Sequence, residues 1–115
     1  MTATSIEVDR EGPVTILRIA GDVTSTSETA FAEAFADAMS DGTRALVLDF
    51  AALSSLDSGG ISLLAMLLGR AQRSGVRLLA SGLSEHDRQA LSRAGLDDSI
   101  EIHDDEAAAV AAVGV

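Results

Sequence analysis

Residues 46–69 read LVLDFAALSSLDSGGISLLAMLLG, and the fold follows from how this stretch is divided. With Ala45 before it, Leu46 to Phe50 is almost continuously apolar, as in a strand buried on both faces. The far end sets Ile61, Leu64, Leu67 and Leu68, with Ala71 one step beyond, at helical spacing, which makes a broad apolar face. Between them, Asp57 or Ser58 can cap the helix while Gly59 and Gly60 permit a tight turn. A buried strand therefore runs through a short loop straight into a helix, the repeating unit of a parallel sheet with crossover connections. Ser74 and Gly75 close that helix.

Working outward, Ser5 to Arg10 and Val14 to Ile19 alternate apolar and polar positions across Glu11, Gly12 and Pro13, the pattern of a half-buried hairpin. Gly21 ends the second strand. Ser25 with Glu28 forms a capping-box pattern ahead of Phe31, Ala34, Phe35 and Ala38, so a first helix is expected to about Ser40, stopped by Asp41 and Gly42. Downstream, Val76 to Ala80 reads as a strand, Ser84 to Ala94 as a helix ended by Gly95, and Ile100 to His103 as a last short strand. Asp104, Asp105 and Glu106 favour the positive start of a terminal helix through about Val113. The expectation is one α/β domain over residues 1–115: a mostly parallel mixed sheet entered by an N-terminal antiparallel hairpin, with about four helices.

Composition narrows the function. Hydrophobic residues are 47% of 115, spread in short blocks, so a globular chain with one core is expected. The absence of cysteine excludes a disulfide framework, a thiolate metal site and a Cys nucleophile. Eighteen acidic residues against eight Arg and no Lys give a net charge of −10, which repels phosphate backbones and anionic membrane surfaces. Direct nucleic-acid binding is thus not expected. The plainest reason for the acidity is solubility, the sharper one a basic protein partner. No apolar run nears the ~20 residues of a membrane span, and Met1 to Arg10 lacks both a basic start and an apolar segment, so a cytoplasmic protein without membrane insertion is expected.

Ser58 falls in the first turn of its helix, where free N–H groups and the helix dipole favour an added negative charge such as phosphate. On spacing alone, the plainer reading is a cap followed by a tight turn. Two glycines in a helix cost roughly 1 kcal/mol each against Ala when interior, which suggests that something approaches the backbone closely. Asp57-Ser58-Gly59-Gly60 also resembles the nucleophile motif of chymotrypsin-like serine proteases. That reading fails: both histidines, His86 and His103, follow the serine, and the protease fold is all-β and about twice as long. His86 and His103 are not at metal-ligand spacing and are expected on the solvated surface. No phosphate-binding loop of the G-x-G-x-x-G or P-loop form is present. No catalytic, cofactor-binding or metal-ligating residue is expected.

Three segments carry a family resemblance: Ala20-Gly21-Asp22-Val23, Leu46 to Phe50 through Leu56-Asp57-Ser58-Gly59, and Ala94-Gly95-Leu96. In these, and in element order over nearly its whole length, the chain resembles the STAS family, best known from bacterial anti-sigma-factor antagonists. The resemblance implies that Ser58 is a phosphorylation site and that Asp57 shapes its loop. It implies a contact surface of Asp22, Thr24, Asp57, Ser58, Gly59 and Gly60 around the exposed start of the helix. The implied partner is an anti-sigma factor with serine-kinase activity. The unphosphorylated antagonist binds it and frees the sigma factor; phosphorylation ends the contact, and the antagonist itself is not an enzyme. Two positions depart from the family: Gly59 replaces a Ser or Thr after the phosphoacceptor, and Thr24 stands where an acidic residue follows Gly21 by three. The alternative use of the same domain is as an interaction subunit of a scaffold or of a membrane lipid-transport complex.

Overall fold

The hairpin expected from Glu11-Gly12-Pro13 closes through the pairing of Glu11 with Val14, and Gly12 takes a φ of 61° that a residue with a side chain adopts at a cost. The computed structural model describes residues 3–39 and 42–114. Its elements run β1 Ser5–Glu11, β2 Val14–Val23, a 3-10 turn Ser25–Ser27, α1 Glu28–Ala38, β3 Ala45–Leu56, α2 Ser58–Arg73, β4 Arg77–Ser81, α3 Glu85–Arg93, β5 Glu101–His103 and α4 Glu106–Val113. The strands lie side by side in chain order; β1 and β2 are antiparallel, and every later pair is parallel. The expected α/β architecture and its antiparallel entry are borne out.

Strand alternation divides the core in two. Leu17, Ile19, Leu46, Leu48 and Phe50 face Phe31 and Phe35 of α1, Leu64 and Leu67 of α2, and Leu91 of α3. Removing either α1 ring would cost about 3–5 kcal/mol. The opposite face carries Val14, Ile16, Ala45, Val47 and Leu79 beneath Ala109 of α4. The expectation that Ala45 to Phe50 is buried from both sides holds for Ala45 to Leu48, which are at most 1% exposed.

Four expectations need correction. β2 does not end at Gly21 but runs to Val23, and β3 does not stop at Phe50 but continues to Leu56, because the two strands keep pairing past two irregularities, through Ala20 with Ala52 and Val23 with Leu56. The capping box lies one residue earlier than expected: Thr24 and Ser27 cap the 3-10 turn reciprocally, and α1 begins only at Glu28. Along α2, Leu63 is buried with Leu64, Leu67, Leu68 and Ala71, whereas Ile61 is only half-buried. α1 ends at Ala38 with Met39 as its cap, and the expected end at Ser40 and stop at Asp41 lie outside the described residues.

Candidate functional site at the start of α2

β3 and β2 end together, and their last pair, Val23 and Leu56, delivers the chain to the N-terminus of α2. Asp57 is the cap. Its backbone is extended, with φ −98° and ψ −178°, and its Oδ1 accepts the Gly60 N–H at 2.8 Å. The Asp57 N–H donates to the Val23 carbonyl at 3.2 Å, while the Asp57 carbonyl accepts the Ile61 N–H at 2.9 Å. Ser58 is therefore the first helical residue rather than the cap. It is exposed, as is Asp57.

The paired glycines have a steric cause. A Cβ on Gly60 would stand 2.4 Å from the Val23 carbonyl oxygen, and one on Gly59 would stand 2.9 Å from the Ser25 nitrogen and 3.0 Å from its Cβ. Backbone thus approaches backbone at the first turn of α2, as the cost of two glycines suggested. The Gly59 departure follows from the same contact, since a Ser or Thr there would press on Ser25. Thr24, the other departure, spends its hydroxyl locally by accepting the Thr26 N–H at 3.2 Å.

The expected contact residues fall into two parts. Asp57, Ser58, Gly59 and Gly60 form the helix start. Asp22 and Thr24 line a neighbouring cleft of about 510 Å³ that also takes in Thr4, Thr26, Ser27 and Ser55. Hydroxyls frame this cleft: Ser55 donates to Asp22 Oδ1 at 2.6 Å, Thr4 to the Asp22 carbonyl at 2.6 Å, and the Thr24 N–H donates to Ser27 Oγ at 3.0 Å. Sequence reading missed Thr4, Ser27 and Ser55. Thr4 and Asp22 are 18 positions apart, and only the hairpin joins them. On the other side of Ser25, a shallow groove bordered by Glu28, Gly59, Ser62 and Leu63 reaches Met66, which is 47% exposed.

The histidines divide. His86 is exposed, as expected, but His103 is half-buried on β5 and its Nε2 is shielded from solvent. α4 packs against its strand, which the local sequence could not show. Among the described residues, no group of three His, Cys, Asp or Glu side chains could hold a metal ion, and no helix is long and apolar enough to cross a membrane. Arg77 holds Glu101 below the usual carboxylate range through bonds of 2.7 and 2.9 Å, and Arg18 does the same to Glu106.

A family model for the STAS domain matches residues 5–109. No curated protein sequence matches the chain. Among solved structures, a candidate anti-sigma factor antagonist from Thermotoga maritima superposes with a TM-score of 0.84 at 20% identity, covering 96% of this chain and 95% of that one. The anti-sigma factor antagonist SpoIIAA in its unphosphorylated form superposes with a TM-score of 0.75 at 15% identity, covering 96% of this chain and 98% of that one. The Bacillus cell fate determinant SpoIIAA in its phosphorylated form gives 0.73 at 16% identity, over 95% and 99%. A sulfate transporter family protein from Wolinella succinogenes gives 0.80 at 20% identity, over 92% and 88%. At these identities the likeness establishes the fold.

Proposed function

This chain belongs to the STAS domain family, and from that premise we propose that it is a cytoplasmic, non-enzymatic anti-sigma-factor antagonist, a single domain over residues 1–115. Unphosphorylated, it binds an anti-sigma factor with serine-kinase activity; phosphorylation of Ser58 by that kinase ends the contact. Asp22, Thr24, Asp57, Ser58, Gly59 and Gly60 form the contact surface. Neither nucleic acid nor membrane insertion enters the mechanism.

The placement of Ser58 carries this reading. It is exposed on the first residue of α2, and the cap that holds the helix start uses Asp57 Oδ1 and the Gly60 N–H, leaving the serine hydroxyl outside that bond. A phosphate there adds close to two negative charges at pH 7. The positive end of the helix favours those charges, while the adjacent Asp57 carboxylate opposes them. The opposing terms leave the fold in place and concentrate the change on the surface. A penalty of about 3 kcal/mol in the contact weakens binding roughly a hundredfold. The fold's likeness to SpoIIAA in both its unphosphorylated and its phosphorylated form supports a modification that does not refold the domain.

A second reading is an interaction subunit of a scaffold or of a membrane lipid-transport complex; the fold is shared with a sulfate transporter family protein, outside sigma-factor control. Wild-type protein and Ser58→Glu, used as baits in a lysate of the native host, separate the two. The first reading expects an ATP-binding anti-sigma kinase on the wild-type bait alone. Transporter or scaffold proteins retained equally by both baits would favour the second.

A further inference from the structure

α4 brings little apolar surface of its own to the sheet. It covers Val14, Ile16, Ala45, Val47 and Leu79, all 0% exposed, yet of its own side chains Ala109 alone is fully buried, with Val110 and Val113 partly so. Alanine adds only a methyl group to such a contact, so most of the apolar area that α4 keeps from water belongs to the sheet.

An ionic hold lies at one end. Arg18 on β2 grips Glu106, the first residue of α4, with two bonds, Nη2 to Oε1 at 2.8 Å and Nε to Oε2 at 3.0 Å. The same guanidinium also faces Glu7 and Asp9 of β1 at 3.2 Å each. Asp49 of β3, the register partner of Arg18, lies within hydrogen-bonding reach of Glu106. One cation thus serves a crowd of carboxylates.

Two buried polar atoms oppose docking. Ser81 and His103 are partners across β4 and β5, on the same side of the sheet as Leu79, and Asp49 is the partner of Ser81 on β3. Ser81 Oγ and His103 Nε2 are both buried without a hydrogen-bond partner among the described residues. Such groups carry their full desolvation cost and recover it on contact with water. They sit next to the turn that leads into α4, where the Gly82 N–H donates to the Asp104 carbonyl at 3.3 Å.

We propose that α4 is a latched cover: it swings off the sheet as one unit while the other elements stay folded, with Arg18 and Glu106 as the latch and the rehydration of Ser81 and His103 favouring the open state. A unit that opens cooperatively below the global stability is a recognised mode of local unfolding.

Native-state hydrogen exchange on the full chain tests this. Ala109, Val110 and Ala111 should share one opening constant, at least about tenfold larger than that of Ala45 to Leu48. Arg18→Met should raise the α4 constant roughly fivefold and leave Ala45 to Leu48 unchanged. Ser81→Ala, by deleting one orphaned group, should slow exchange in α4. A gradient of exchange rising toward residue 114 would show simple fraying and overturn the proposal. So would α4 and β3 opening with the same constant, or Ser81→Ala accelerating α4.

Discussion

Gly60 lies against the Val23 carbonyl so closely that a Cβ on it would stand 2.4 Å from that oxygen. This contact seats α2 on the end of β2 and fixes the height at which Ser58 is presented. Since the obstruction is backbone rather than a flexible side chain, Gly60→Ala should destabilise the domain by about 1–3 kcal/mol. Gly69, in the interior of the same helix, meets only the mobile end of Arg73 at 3.4 Å. Gly69→Ala should stabilise by roughly 0.5–1 kcal/mol. Urea denaturation of the two variants reads the opposite signs directly.

The cap of α2 supports a second expectation. Asp57→Ala leaves the Gly60 N–H without its partner and should cost about 1 kcal/mol, whereas Asp57→Asn or Asp57→Ser should restore most of it. Equal losses in all three variants would mean that the carboxylate matters for its charge rather than as a hydrogen-bond acceptor.

Ser58→Glu should fold like the parent. The hydroxyl stands outside the cap bond, and a negative charge in the first helical turn changes stability by no more than about 1 kcal/mol. Superimposable circular dichroism spectra and a similar urea midpoint are expected. A variant that unfolds would remove the basis for a switch acting only at the surface.

The carboxylates under α4 give a pH dependence with two signs. Hydrogen bonds from Arg18 hold Glu106 below the ordinary range, so its contribution is present above that range and lost as pH falls through the lowered value. Burial, and then the hydrogen bond with Glu106, push Asp49 the other way, so its contribution is present at low pH and lost as pH rises through the raised value. At neutral pH, Asp49→Asn keeps an oxygen for the Ala51 N–H, 3.0 Å away, and gives Glu106 a donor. Its Tm should exceed that of the wild type at pH 7, with the difference shrinking on acidification. Glu106→Gln should lower Tm at pH 7 and lose that deficit on acidification.

Local pattern disclosed most of the fold, because α1 and α2 bury apolar residues at helical spacing and the first half of β3 is a continuous buried apolar run. It failed where long-range pairing outweighs local pattern. Residues 51–56 are mostly exposed and carry no alternation, yet they form a strand because β2 lies beside them. At the helix start, the order Asp57-Ser58-Gly59-Gly60 was legible as a cap and turn, but the reason for two glycines was not, since Val23 and Ser25 meet them only in three dimensions. The hydroxyl frame from Thr4 to Ser55 and the crowd of carboxylates around Arg18 likewise join residues from distant parts of the chain.

The central claim is that a phosphate on Ser58 ends the contact with an anti-sigma kinase while the domain stays folded. Isothermal titration of that kinase with unmodified protein and with protein phosphorylated at Ser58 tests it most directly. The account predicts tight binding of the unmodified form and a roughly hundredfold weaker interaction after phosphorylation, with unchanged circular dichroism. Equal affinity of the two forms would contradict it.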